Sequence, residues 1–200
     1  MKKIFIPFLI VLLSYNAVAQ EQDATSQRVI TTGVPFILIA ADARSAGMGD
    51  IGVATSADAF SQQWNPAKYA FAISKQGVGV TYTPYLSQLV NDIFLGNLTY
   101  YNRINERSAV AASFRYFSLG DIELRETAEQ EPLLQSPNEL TFDVSYALRL
   151  SDRFSMAVAG RYLRSDLKLQ AGNADASAGS SFAVDVAGYY QSEEIPYNDF

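Results

Sequence analysis

Between Leu140 and Leu150, apolar residues alternate strictly with polar or small ones. The even-numbered positions there are Leu, Phe, Val or Tyr, whereas the odd-numbered positions are Thr, Asp, Ser, Ala and Arg. Such a period of two places successive side chains on opposite faces of a strand, so the pattern predicts a strand with one apolar face. The same period recurs, strictly or in part, in five other stretches: residues 77–83, 92–101, 109–118, 153–163 and 181–190.

The lengths of the predicted strands, the aromatic pairs near their ends and the connections between them favour a membrane barrel over a sandwich. Strands of about 10–12 residues match a tilted bilayer crossing, whereas strands of globular proteins cluster near about 5–6 residues. Aromatic pairs lie near strand ends, where a barrel carries its interfacial girdle; they are Tyr100-Tyr101, Tyr116-Phe117 and Tyr189-Tyr190. Short and long connections alternate, the short ones being 102–106 and 151–152 and the longer ones 84–91, 119–138 and 166–178. The predicted fold is all-β, a transmembrane antiparallel up-and-down β-barrel.

The alternation of connections also predicts an orientation, because short turns lie on the periplasmic side of bacterial barrels. The long loop 119–138 is then extracellular. Its charges are Arg125 against Asp121, Glu123, Glu126, Glu129 and Glu131, so it is expected to form an acidic surface. A solvated loop that only aids solubility explains the same charges. The charged residues on polar strand faces are expected to point into the lumen; they are Arg115, Asp143, Arg149, Arg161 and Asp185.

The N-terminus predicts export. Lys2 and Lys3 precede an apolar run, and Ala17-Val18-Ala19 has the small-x-small pattern of a signal-peptidase site. The apolar run has about ten residues, too few for a membrane-spanning helix, which needs roughly 20. We therefore expect a signal peptide at 1–19, an N-terminal extension and plug at 20–76, and the first half of a truncated β-barrel at 77–200. Six strands are fewer than the roughly eight that close a membrane barrel.

Composition excludes several classes of function. The chain has no His and no Cys, which removes Ser-His and Cys-His catalysis, His- or Cys-ligated metal sites and disulfides. The net charge of −6 becomes −8 when a signal peptide containing Lys2 and Lys3 is removed. An acidic chain lacks the clustered Lys and Arg that nucleic acid requires. We expect a protein that is not an enzyme, with no cofactor, no metal and no nucleic-acid partner.

Residues 29–76 are rich in Gly, Ala and Asp and lack a clear period, and they are too apolar for a disordered linker. Gly47, Gly49 and Gly52 match the dinucleotide fingerprint G-x-G-x-x-G only weakly, because that motif needs a parallel βαβ unit. We expect these glycines to allow close packing or a positive φ. The candidate plug motif comprises Arg44, Gly47, Gly49, Gly52, Asp58, Trp64, Asn65 and Pro66.

Within this motif, Trp64 is expected to pack the plug against the barrel wall, with Asn65 capping a turn before Pro66. Lining a ligand path is the alternative role for Trp64.

The stretch from Asp42 to Thr55, followed by Asp58-Ala59 and Trp64 to Ala67, resembles the N-terminal hatch of the FadL-like barrels. Within that superfamily the chain resembles the PorV family, the outer-membrane component of the Bacteroidetes type IX secretion system. The resemblance covers about residues 35–190 and implies a barrel of about fourteen strands, of which this chain is the N-terminal half. The segments that carry it are 64–71, 81–84, 89–92, 115–120 and 160–167.

The resemblance implies a protein secretion role in the cell outer membrane. Such a component binds cargo through the cargo's C-terminal secretion domain and delivers it to the surface attachment complex. The implied partners are secreted cargo proteins, the translocon barrel, surface-attachment proteins and outer-membrane lipid. The alternative is a FadL-like channel for hydrophobic small molecules, which predicts an apolar lumen, whereas the inward positions are Ser, Thr, Ala, Asp and Arg. A lipid deacylase, an activity associated with the family, would need a Ser-Asp or Ser-Lys arrangement, and the sequence offers no motif for one.

Overall fold

The structure is a computed structural model that describes residues 34–124, 133–167 and 178–192, all within a unit spanning Val34–Phe200. Eight strands are present there: β1 Gln76–Pro84, β2 Ile93–Arg103, β3 Ser108–Leu119, β4 Ile122–Leu124, β5 Leu133–Gln135, β6 Asn138–Arg149, β7 Phe154–Asp166 and β8 Gly179–Tyr190. The predicted signal peptide at 1–19, residues 20–33 of the predicted plug and the charged loop residues Arg125, Glu126, Glu129 and Glu131 lie outside the described residues.

The six long strands form one antiparallel sheet in the order β1-β2-β3-β6-β7-β8. Each long strand pairs with the next long strand along the chain, which is the up-and-down order that the alternating pattern predicts. The prediction of an antiparallel, predominantly β architecture is therefore confirmed. Among the described residues, no helix combines the length and the apolar character that a membrane crossing requires.

The connection between β3 and β6 differs from the predicted loop at 119–138. It contains a separate two-stranded sheet, in which β4 pairs with β5 from Ile122↔Gln135 to Leu124↔Leu133. Each of these strands has 3 residues, which is too short for a period of two to be recognised in the sequence.

One face of the large sheet consists of even-numbered residues, because every strand pair joins even-numbered positions to even-numbered positions. We call it the even-numbered face. Its charged residues in the six strands are Arg164 and Asp166, both at the end of β7. One row across the sheet is apolar throughout, and it runs through Val80, Leu98, Phe114, Phe142, Tyr162 and Phe182. Large side chains on this face remain exposed, such as Val80 at 70% and Val144 at 49%.

The opposite, odd-numbered face is polar or small and largely buried. Its buried polar residues include Asn97, Thr99, Ser113, Arg115, Glu139, Thr141, Asp143, Ser145 and Ser155. Between them lie small residues such as Ala109, Ala111, Ala147, Ala157 and Ala159. This distribution is the reverse of that in a soluble domain, where apolar side chains are buried and charged ones face water.

Residues 34–75, here called the N-terminal segment, cover the odd-numbered face. They form a 3₁₀ turn at Pro35–Leu38, helix α1 at Ala43–Gly47, helix α2 at Ser61–Trp64 and a 3₁₀ helix at Pro66–Phe71. The last of these packs into a cluster made of Ala67, Tyr69, Ala70 and Ala72 from the segment and Tyr101, Ala109, Ala111, Ala147 and Ala157 from the sheet. The alanines let the segment approach the strands closely, so this interface is the compact core of the molecule.

The predicted aromatic pairs divide between the two faces, because neighbouring residues of a strand point in opposite directions. Tyr101 stacks on Tyr69 with ring centroids 4.7 Å apart, and Phe117 stacks on Phe36 at 6.3 Å. Tyr189 likewise meets a ring of the N-terminal segment. One ring of each pair therefore faces the N-terminal segment, and the other, Tyr100, Tyr116 or Tyr190, belongs to the even-numbered face.

Candidate functional site

The N-terminal segment is hydrogen-bonded to all six long strands. On β1, the Thr81 hydroxyl donates to the Ala41 carbonyl, and on β7 the Ser155 hydroxyl donates to the Ala67 carbonyl at 2.7 Å. The contacts with the other four strands are Arg103 of β2 to the Ala72 carbonyl, Arg115 of β3 to the Ile37 and Ile39 carbonyls, Ser145 of β6 to the Gln62 side chain, and Asn65 to the Gly188 carbonyl of β8. In five of the six strands, a strand side chain donates to a polar group of the segment.

Trp64 and Gly52 of the candidate plug motif pack directly on each other. A Cβ added at Gly52 would lie 2.3 Å from Cγ of Trp64, so only glycine fits against the indole. The indole Nε1 donates to Oδ2 of Asp42 at 3.1 Å, while Oδ1 of Asp42 accepts from the Ser45 backbone N at 2.8 Å and caps α1. The structure thus places Trp64 against other residues of the N-terminal segment.

Gly47 and Gly49 lie where α1 ends. Gly47 is the last helical residue, and Gly49 has a φ of +76°, a conformation that glycine adopts without strain. A dinucleotide site needs a helix that begins at its glycines. Here the helix ends at Gly47 and the described large sheet is antiparallel, so the glycines form a turn of a different kind.

Arg44 of α1 forms an ion pair with Asp58, which lies in the loop before α2. Nη1 of Arg44 lies 3.0 Å from Oδ2 of Asp58, and Nη2 donates to the Ser56 hydroxyl at 3.1 Å. The other carboxylate oxygen of Asp58 accepts from the Phe60 backbone N and the Ser61 hydroxyl. Because Arg44 remains about half exposed, the pair contributes at most about 1 kcal/mol and mainly orients the turn.

Asn65 and Pro66 connect the N-terminal segment to β8. Oδ1 of Asn65 accepts from the Ala67 backbone N at 3.1 Å, and Pro66 occupies the first position of the 3₁₀ helix that follows. Nδ2 of Asn65 donates to the Val53 carbonyl at 3.2 Å and to the Gly188 carbonyl at 3.0 Å. One amide therefore joins the glycine-rich turn, the 3₁₀ helix and the strand.

Sequence reasoning missed Lys68, which is fully buried within the segment. Its Nζ donates to the Gly52 carbonyl at 2.7 Å and to the Thr55 hydroxyl at 3.1 Å. Burial lowers the pKa of the Lys68 ammonium, and the Asp58 carboxylate opposes that shift. The available signal was a lysine inside the otherwise apolar run at 66–71.

Gln62, Gln63 and Tyr69 were missed as well. The Tyr69 hydroxyl accepts from the Gln62 backbone N at 2.8 Å and donates to the Ala59 carbonyl at 2.9 Å, and burial raises the pKa of this phenol. The Gln63 side chain bonds the backbone of Ala41 and Ile39. These side chains hold the loops of the segment in place.

Charged residues form a ladder on the odd-numbered face, where the alternating pattern predicts them. Nε of Arg161 lies 2.5 Å from Oδ1 of Asp143, whose other oxygen accepts from the Ser113 hydroxyl at 3.0 Å. Arg161 also approaches Asp185 at 3.6 Å. The guanidinium of Arg115 lies 6.0 Å from the ring centroid of Phe36. These pairings let polar groups lie beneath the N-terminal segment.

The part of the chain that the structure describes contains no cluster of three or more acidic residues arranged to hold a metal ion. The chain matches the family model described as type IX secretion system protein PorV over residues 21–200. It belongs to the PorV family. The resemblance to the PorV family is thereby confirmed, and the chain is a type IX secretion system component; that family is not a known enzyme family. No curated protein matches it.

In this PorV-family chain, hydrogen bonds hold the residues at the base of the β4–β5 hairpin. The carboxylate of Asp92 accepts from the Asp121 backbone N at 2.7 Å and lies against Gly120, which has a φ of +79°. The Ser136 hydroxyl donates to the Asp121 carboxylate. The hairpin exposes Leu134 at 64%, so it presents an apolar side chain beside acidic ones at the end of the sheet that carries the longer connections.

Proposed function

We propose that this PorV-family chain forms part of an outer-membrane β-barrel that receives secreted cargo and delivers it to the surface attachment complex. The observation that carries the proposal is the distribution of side chains on the sheet, which is the reverse of that in a soluble domain: the apolar face is exposed and the polar face is covered. An extended apolar face is stable only against an apolar environment, and in an exported β protein that environment is the outer-membrane bilayer.

Strand geometry supports this placement in the bilayer. The six long strands have between 9 and 13 residues, and a tilted membrane strand needs about 9–11. In the described residues β1 and β8 each pair along one edge only, and an unpaired edge is not tolerated in hydrocarbon. We infer that further strands join these edges, in a barrel of about fourteen strands whose lumen the N-terminal segment fills as a plug.

The polar odd-numbered face weighs against the alternative, a channel for hydrophobic small molecules. An apolar ligand would have to pass Asp143, Arg161 and Arg115, and charged groups would lose solvation beside it. The N-terminal segment also covers this face with hydrogen bonds to all six strands, so opening a path along the sheet would break many of them at once.

Cargo binding belongs to the end of the sheet that carries the longer connections. The connections at the other end, 104–107 and 150–153, are too short to enclose a protein segment. The β4–β5 hairpin extends from the barrel wall and combines Leu134 with the acidic Asp121 and Glu123. We place the contact with the C-terminal secretion domain of cargo there, with the translocon barrel and the surface-attachment proteins as the other partners.

The test is a pull-down from outer membranes with the full-length protein as bait and mass spectrometry as readout. We expect the translocon barrel, surface-attachment proteins and secreted proteins with a shared C-terminal domain. A barrel recovered without protein partners would contradict the secretion role and favour the small-molecule channel.

A second arm of this test replaces residues 120–137 by a short turn. The Leu119 backbone N already bonds the Pro137 carbonyl at 3.1 Å, so β3 and β6 can be joined without moving either strand. Cargo should then be lost while the barrel still folds. The matched control inserts two glycines into the connection 104–107 at the opposite end, which should leave cargo recovery unchanged. Cargo capture that survives the replacement would remove the hairpin from the binding site.

A further inference from the structure

A cleft lies on the even-numbered face, at the end of the sheet where connections 104–107 and 150–153 join the strands; we call this end the short-turn end. The cleft has a volume of about 670 Å³, and it lies between the first of these turns and the outward side chains of β6. Its lining residues are Asn105, Glu106, Arg107, Ser108, Tyr146 and Leu148. The cargo contact proposed above lies at the opposite end of the sheet.

Arg107 is held in place at this cleft. The Asn105 side chain accepts from the backbone N of Arg107 and of Ser108, both at 2.8 Å, and so fixes the turn. Nε of Arg107 donates to the Arg149 carbonyl at 3.3 Å. The two terminal nitrogens of this guanidinium bond no group among the described residues, so they can bind an anion in the two-pronged geometry that arginine favours.

The other side of the cleft is apolar. Tyr146 is 48% exposed and Leu148 is 37% exposed, and both belong to the even-numbered face. A cation beside an apolar surface, at the border of the exposed apolar band, matches a molecule with an anionic head and a hydrocarbon tail. Tyrosine at such a border is typical of the interface between lipid and water.

Charge differs between the two ends of the sheet. In the described residues, the short-turn end carries Lys75, Arg103, Arg107, Arg149 and Arg153 against Glu106 and Asp152. The opposite end carries Asp92, Asp121, Glu123, Glu139 and Asp166 against Arg164. The basic end therefore attracts an anionic headgroup, and the acidic end repels one.

We propose that the cleft binds an anionic phospholipid. Its phosphate accepts from the terminal nitrogens of Arg107, and an acyl chain lies on Tyr146 and Leu148. The carboxylate of Glu106 in the same cleft disfavours a headgroup with further negative charge, which selects a lipid with a single phosphate. This inference rests on the proposed placement of the even-numbered face in lipid.

The test uses the full-length protein, purified in detergent and mixed with equal amounts of phosphatidylglycerol and phosphatidylcholine. Native mass spectrometry then counts the retained lipids. We expect about a fivefold preference for phosphatidylglycerol, the effect of one basic side chain near an anionic lipid, and we expect Arg107→Gln to abolish it. The matched control is Arg164→Gln, because Arg164 lies on the same face at the opposite end and is 50% exposed. That variant should keep the preference.

A preference that persists in Arg107→Gln, or is missing in the wild type, overturns the proposal. Retention of no lipid at all contradicts the placement of the even-numbered face in the bilayer instead. Displacement of the lipid by millimolar inorganic phosphate would indicate a site for phosphate alone and also overturns the proposal. A photoactivatable phosphatidylglycerol gives a readout without any variant: crosslinks at residues 105–108 and 146–148 support the cleft, and crosslinks confined to other segments exclude it.

Discussion

The two faces of the large sheet are built from the same strands, but they differ in how their side chains are stabilised. On the odd-numbered face many polar side chains have a particular partner, such as Asp143 with Arg161 or Ser155 with the Ala67 carbonyl. On the even-numbered face most side chains share only their apolar character, and they contact solvent or each other. The covered face is therefore sensitive to the identity of each residue, whereas the exposed face is sensitive to polarity.

The largest effect is expected from Asp143→Ala on the covered face. Removing this carboxylate leaves Arg161 beneath the N-terminal segment with only the more distant Asp185, and it also removes the acceptor of Ser113. Breaking a buried pair from one side costs about 3–5 kcal/mol. Urea denaturation of the full-length protein in lipid vesicles measures the loss. Asp152→Ala is the control, since the Asp152 carboxylate is fully exposed and its removal should leave the midpoint unchanged. Equal urea midpoints for the two variants would contradict the idea that individual side-chain pairs such as Asp143 and Arg161 stabilise the covered face.

On the even-numbered face, Val144→Arg tests polarity alone. Val144 lies in the middle of β6 and is 49% exposed, so it is expected at the centre of the apolar band. A charge there costs about 2–4 kcal/mol in a bilayer, whereas Ser180→Arg at the start of β8 should cost about 0–1 kcal/mol. The same denaturation assay compares the two variants. If Val144→Arg folds as well as the wild type, the even-numbered face is in contact with water and the membrane proposal fails.

Gly52→Ala probes close packing within the N-terminal segment. The added Cβ would overlap the indole of Trp64, and overpacking of this kind costs about 1–3 kcal/mol. Because the chain has a single Trp, its fluorescence reports this contact directly, and we expect a shifted emission maximum. Gly47→Ala is the matched control, since a Cβ added at Gly47 would have no atom within 4 Å. A shift of equal size in both variants would show that the substitutions act through the backbone rather than through the indole.

The difference between the two faces explains which features of the fold and of the candidate site could be predicted from the sequence. The period of two predicted the six long strands and the residues on each face, because one face is apolar and exposed along its length and the other is polar or small and covered. The short helices of the segment have 4 to 6 residues, too few for a helical period, and their partners lie far along the chain. Gln62, for example, meets Ser145 across 83 positions. Composition could identify Arg44, Asp58 and Asn65 as candidates, but only tertiary packing pairs them.

The smallest effect is a pH dependence contributed by Lys68. Burial lowers its pKa in the folded protein, so between that pKa and the ordinary value of 10.5 the unfolded chain binds more protons than the folded one. Stability then rises with pH across this window, because proton release favours the folded state. We expect the wild type to gain stability relative to Lys68→Met as pH increases from about 8 to 10. The comparison stops near pH 10 because, above that pH, the raised pKa of Tyr69 makes both proteins less stable as pH increases. Parallel stability profiles for the two proteins would mean that water reaches Lys68, and the interior of the N-terminal segment would then be less closed than its hydrogen bonds indicate.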